Sequence, residues 1–123
     1  MAAAGEVRAA LGKIADKKQS EILSRFFKTG KGEYGEGDIF LGVKVPLQRD
    51  IARRALSLPL EETALLLDDP AHECRLTGAL ILVEQYRRAD EAGRERIYRF
   101  YVKHLRGINN WDLVDLSAPK IMG

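Results

Sequence analysis

The residues best suited to chemistry lie in Asn109-Asn110-Trp111-Asp112-Leu113-Val114-Asp115. An asparagine pair suits a helix start, because a side-chain oxygen at the cap position accepts from an otherwise unpaired amide of the first turn. Trp111 and Asp115 are four residues apart, a spacing that puts a ring face and a carboxylate side by side on a helix. Leu113 and Leu116 turn to another side and can form the buried stripe. The exposed pair, Trp111 and Asp115, is therefore the candidate active feature.

Two other patterns resemble known sites and fail on inspection. Gly30-Lys31-Gly32-Glu33-Tyr34-Gly35 has the glycine spacing of a dinucleotide-binding loop. That loop works between a strand and a helix, with its amides facing a pyrophosphate. Here a helix precedes it, and Glu33, Glu36 and Asp38 would repel phosphate, so the expectation is a mobile loop and no nucleotide cofactor. His72-Glu73 begins a zinc-protease pattern whose second histidine would have to stand at position 76, which is Leu76. No metal site is expected, and Glu73 is expected to bind a neighbouring helix or Arg75. Cys74 has no Cys or His at ligand spacing and reads as a small buried hydrophobe.

Bulk properties narrow the class. A chain of 123 residues, 46% hydrophobic and 31% charged, suits one globular domain with one core. With a single cysteine there is no intrachain disulfide, which fits a reducing cytoplasm. No apolar run approaches a membrane span, and Met-Ala-Ala-Ala-Gly-Glu lacks the regions of a signal peptide. The expected location is cytoplasmic, without a membrane partner. A net charge of +2 does not by itself argue for nucleic acid, so the placement of the 20 basic residues must carry that reading.

The elements that position these groups read as helices. Val7, Ala10, Leu11 and Ile14 recur at helical spacing, and Asp16 with Gln19 forms a capping box opening a second helix through Ile22, Leu23, Phe26 and Phe27. That helix should stop near Gly30, where five glycines follow within thirteen residues. Val45-Pro46 opens a third helix with Leu47, Ile51 and Ala55 as its buried stripe and Arg49, Arg53 and Arg54 off it. Pro59, Glu61 and Glu62 begin a fourth helix through Leu65, Leu66 and Leu67, which Asp68-Asp69-Pro70 ends while capping the next. From Ala71 to about Arg88, Leu76, Ala79, Leu80 and Val83 make an apolar face. Asp90 caps a sixth helix in which Ile97, Phe100, Tyr101 and Leu105 oppose Arg96, Arg99, Lys103 and Arg106. Strict two-residue alternation is missing throughout, so no strand is expected. The reading is all-α, about seven antiparallel helices whose uneven lengths favour a HEAT-like or ARM-like solenoid over a bundle.

Three blocks in order then carry a resemblance. Gly35-Glu36-Gly37-Asp38-x-Phe40-Leu41-Gly42-Val43-x-Val45-Pro46-x-x-Arg49, His72-Glu73-x-Arg75 and Asn110-Trp111-Asp112-x-Val114-Asp115 resemble the DNA alkylation repair family of the AlkD type, HEAT-like-repeat alkylpurine DNA glycosylases. The resemblance covers essentially the whole chain. It implies a right-handed α-α superhelix, double-stranded DNA containing alkylated purines as partner, and removal of N3- and N7-alkylated purines without metal or cofactor. It assigns Asp115 as the catalytic carboxylate and Trp111 as a sugar contact. The family's domain is roughly twice this length, so residues 1–123 are expected to correspond to its N-terminal portion, inactive or weakly active on its own, with a further tryptophan and an arginine in the second half. The last helix, around Leu113, Leu116 and Ile121, is then expected to expose apolar surface that self-association could cover.

Helix parity separates the basic patches. In a two-row solenoid the Trp111 helix shares its row with the helices beginning near Pro46 and Pro70 and not with the one between Asp90 and Arg106. Arg49 and Arg53 are accordingly the expected phosphate contacts, and the Arg96-to-Arg106 stripe a solvated outer face. Two other readings stay open at this point: a catalytically silent DNA-binding helical repeat, and a protein-interaction solenoid in which Trp111 and Asp115 only pack against the next repeat.

Overall fold

The computed structural model describes residues 1–26 and 39–104, which hold six helices: α1 (Ala4–Lys13), α2 (Lys17–Phe26), α3 (Val45–Arg54), α4 (Leu60–Leu67), α5 (His72–Arg88) and α6 (Glu91–Lys103). The all-α expectation holds, and no strand occurs among the described residues; extended backbone is limited to an isolated bridge between Ile39 and Ala71. The expected seventh helix, with Trp111 and Asp115, lies outside the described residues, as does Gly30 through Gly35.

Helix α5 is the axis of the packing, in contact with α1, α3, α4 and α6. Its sequence explains why. Beyond the apolar face Leu76, Ala79, Leu80 and Val83, it also buries Cys74, Thr77, Gly78, Ile81 and Leu82, so most of its circumference lies against protein. An element wet on one side only cannot do this, and each fully buried Leu or Ile there contributes about 1.5–3 kcal/mol over an exposed one. Close approach by α4 depends on Gly78, where a Cβ would stand 3.2 Å from Leu66 Cβ and Leu67 Cδ2.

Helix α1 buries Ala4, Val7 and Leu11 and is fastened to α4 at both ends. Glu62 Oε1 accepts from the Ala4 amide at 2.9 Å, and Arg8 binds Asp69 Oδ2 at 2.6 Å and the Leu65 carbonyl at 3.1 Å. Ile14, expected on the buried face, is exposed just past the helix end. The capping reading at Asp16 is supported by its Oδ1 accepting from the Gln19 amide at 3.1 Å, and Asp90 caps α6 through the Gly93 amide at 2.8 Å.

Two expectations need correction. In α3 the interior is taken by Gln48, Ile51, Ala52 and Ala55, while Leu47 is 45% exposed. The buried set follows the i, i+3, i+4, i+7 pattern, and a polar residue at its first position disguises it. At the start of α5, Asp69 Oδ1 accepts from the Ala71 amide at 2.8 Å, forming a turn before the helix; the cap position is Ala71, which has no side-chain cap.

Candidate nucleic-acid interface

Helices α3 and α5 lie against one another, and between them is a recess of about 190 Å³ lined by Arg49, Ala52, Arg53, Leu80, Val83, Glu84 and Arg87. Arg49 and Arg53 are one helical turn apart on α3 and both exposed, so their guanidinium groups flank one apolar floor built from Ala52, Leu80 and Val83. Arg87 closes the far side from α5, held by Glu84 at 3.3 Å. Neither Arg49 nor Arg53 has an ion pair among the described residues. Two uncommitted cations over an apolar floor can each donate to phosphate oxygens in a bidentate pair without first breaking an internal one. The structure thus brings Arg49 and Arg53, for which phosphate contact was the expectation, into one recess together with Arg87, which sequence reasoning did not group with them. A signal was present: Arg87 is four residues after Val83, continuing the helix face that Leu76, Leu80 and Val83 define.

What holds α3 in place is a buried polar chain beginning at Glu73, whose side chain is fully buried. Its Oε1 accepts from the Leu41 amide at 2.9 Å, and its Oε2 accepts from the Gly42 and Val43 amides at 2.9 and 3.2 Å. Three successive main-chain amides therefore converge on one carboxylate, the arrangement that makes a buried charge tolerable. This corrects the expectation of a tie to a neighbouring helix or to Arg75. The chain continues as Gln48 Nε2 donates to the Val43 carbonyl at 2.8 Å and the Thr77 hydroxyl donates to Gln48 Oε1 at 3.3 Å. Glu73, Gln48 and Thr77, all buried, each have a partner here, and the segment entering α3 is fixed from two sides.

Gly42 makes the turn possible. Its φ of +87° is a conformation that side chains disfavour, and a Cβ there would lie 1.9 Å from the Asp16 carbonyl oxygen. The same carbonyl accepts from the Ser20 amide at 2.9 Å, and the Gly42 carbonyl accepts from the Asp16 amide at 3.1 Å. The Ser20 hydroxyl donates to the Phe40 carbonyl. Thus the start of α2, the 40–43 segment and the start of α5 form one hydrogen-bonded junction. The Phe40 ring stacks on His72 at 4.7 Å, and His72 is buried.

Cys74 is buried, and desolvation, reinforced by the charge of Asp69, pushes its thiol up to about 12. It is a small buried side chain, as its spacing implied. The basic residues of α6 include Arg96, Arg99 and Lys103, all exposed, with Arg99 paired to Glu95 at 2.8 Å. Trp111 and Asp115 lie outside the described residues, so no geometry is assigned to them.

Comparison with known proteins gives one match: a family model described as DNA alkylation repair enzyme fits residues 7–123. No curated protein and no solved structure matches.

Proposed function

The chain belongs to the DNA alkylation repair enzyme family, and from that premise we propose that it hydrolyses the glycosidic bond of N3- and N7-alkylated purines in double-stranded DNA. The observation that carries the reading is the family match across nearly the whole chain, within which the Trp111-to-Asp115 segment lies. The recess with Arg49 and Arg53 supports it as a place for the phosphates of the strand.

The chemistry requires little of the protein. Alkylation at N3 or N7 leaves a positive charge on the purine, so the base departs as a neutral molecule and needs no general acid to protonate it. What develops instead is positive charge on the sugar. The Asp115 carboxylate stabilises that oxocarbenium-like centre and orients the water that attacks it, an electrostatic contribution of several kcal/mol in a preorganised site. The Trp111 ring offers its electron-rich face to the same sugar. Arg49 and Arg53, with Arg87 beside them, fix the register of the duplex through its phosphates and contribute no base specificity.

The test is release of 7-methylguanine or 3-methyladenine from alkylated duplex DNA, compared between the protein and its Asp115→Asn variant. Release that depends on Asp115 supports the reading; release that ignores it removes Asp115 from the reaction.

A further inference from the structure

The recess between α3 and α5 holds one group that works against an anion. Among its lining side chains Arg49, Arg53 and Arg87 are cations, and Glu84 is the one acid. Glu84 pairs with Arg87 through a single contact of 3.3 Å between residues three apart on α5. The two partners are unequally wet: the Glu84 side chain is 17% exposed and that of Arg87 is 54% exposed. The carboxylate is therefore the part set into the recess, and the guanidinium the part at its rim.

Glu84 contrasts with the fully buried Glu73. Glu73 accepts from three main-chain amides and ties the 41–43 segment to α5. Glu84 accepts only from Arg87 among the described residues and ties no second element to its helix. An ion pair this exposed on one side adds little to stability. Its charge acts instead on whatever enters the recess. A space of about 190 Å³ cannot keep a phosphate held by Arg49 and Arg53 far from the Glu84 carboxylate. Two like charges so close repel more strongly in a partly buried site than in open water. Nor does one long contact hold the half-exposed Arg87 firmly enough for orientation of that arginine to be the acid's main effect.

We propose that Glu84 limits the hold of this recess on the phosphates of undamaged duplex DNA, leaving three arginines and one carboxylate with a net charge of +2. The inference rests on the reading of Arg49 and Arg53 as phosphate contacts. Attraction to phosphates is independent of sequence, so it acts equally on every undamaged stretch. A grip without the acid would keep a repair protein where there is no lesion. The acid shortens each stay, while Arg49 and Arg53 still set the register.

The experiment is fluorescence anisotropy of the chain with an undamaged duplex across a salt series. Glu84→Gln, which keeps the shape of the side chain, is expected to bind about fivefold to tenfold more tightly at low salt. The slope of log K against log salt should steepen by about 0.9, one further cation being free to neutralise a phosphate. Unfolding cannot produce such a gain. Glu95→Gln makes the same change of net charge outside the recess, on α6, and should alter neither affinity nor slope. Arg87→Gln should weaken binding, and adding Glu84→Gln to it should still strengthen binding, because repulsion needs no arginine partner; an acid that only orients Arg87 has no effect in that background. The proposal is overturned if Glu84→Gln leaves binding unchanged or weakens it, if Glu95→Gln gives an equal gain, or if Glu84→Gln gives no gain once Arg87 is replaced. Should Arg49→Ala and Arg53→Ala leave duplex binding unchanged, the recess is not a phosphate site and both readings fall. Should they weaken it while Glu84→Gln fails to strengthen it, only the role of Glu84 falls.

Discussion

Gly42 and Glu73 meet through a 2.9 Å hydrogen bond, the glycine amide donating to the Glu73 Oε2 while the glycine α-carbon faces the Asp16 carbonyl too closely to carry a side chain. One residue supplies the backbone conformation and the other the charge that satisfies it. Between them they set the entry of α3, and so the position of Arg49 and Arg53. The basic recess therefore rests on a buried acid outside its lining.

Replacing that acid should weaken the fold. In Glu73→Gln one carboxylate oxygen becomes an amide nitrogen that cannot accept from the converging amides of Leu41, Gly42 and Val43, leaving at least one buried donor unpaired. The expected loss is on the order of 1–3 kcal/mol, read as a lower urea midpoint. An unchanged midpoint would mean the amides find other acceptors.

Gly42→Ala should be worse tolerated than an exposed glycine substitution such as Gly12→Ala, where a Cβ meets nothing within 4 Å. The left-handed conformation alone costs a residue with a Cβ about 1–2 kcal/mol, before the contact with the Asp16 carbonyl is relieved. Gly12 lies on the exposed side of α1, where alanine adds helix propensity of about 1 kcal/mol. Opposite signs for the two variants in thermal unfolding are the expected outcome.

The helical order was legible because the signals are local. Asp16, Pro46 and Asp90 mark helix starts by their own chemistry, and the α5 apolar spacing is visible in one window. The junction was not, because its meaning lies in pairs far apart in the chain. Glu73 reads as an acid tied to a neighbouring helix or to Arg75 until residues 41–43, some thirty positions earlier, present their amides to it. Leu47 misled for a related reason: three-residue and four-residue spacings diverge around a helix, and a buried glutamine held the position a hydrophobe was expected to fill. Helix parity singles out Arg49 and Arg53 on α3, and the place of Arg87 four residues after Val83 is the one local sign that it shares their recess.

Phosphate contact by Arg49 and Arg53 makes a specific prediction about salt. Binding to duplex DNA should weaken in Arg49→Ala and in Arg53→Ala, and the slope of log K against log salt should become shallower by about 0.9 for each phosphate that is no longer neutralised. Equal slopes in the variants and the parent, measured by fluorescence anisotropy across a salt series, would place the phosphates elsewhere.

Cys74 gives a pH prediction with a definite sign. Its folded thiol titrates near 12 against an ordinary value of 9.0. Because the folded value is the higher one, the contribution of the neutral thiol to stability is fully present below pH 9 and is lost as pH rises from 9.0 toward 12. Stability of the parent should therefore fall more steeply over that interval than stability of Cys74→Ala, and iodoacetamide should label Cys74 only when urea opens the chain. Parallel pH profiles, or ready labelling of the folded protein, would contradict the burial.

Excision itself is the most direct measurement. Duplex DNA carrying 7-methylguanine and 3-methyladenine is incubated with the protein, and released base is quantified by chromatography. The reading of Asp115 as the electrostatic partner of the departing purine's sugar predicts release that falls roughly a hundredfold or more in Asp115→Asn, the scale on which removing one preorganised charge acts. Release at an undiminished rate in that variant would contradict it.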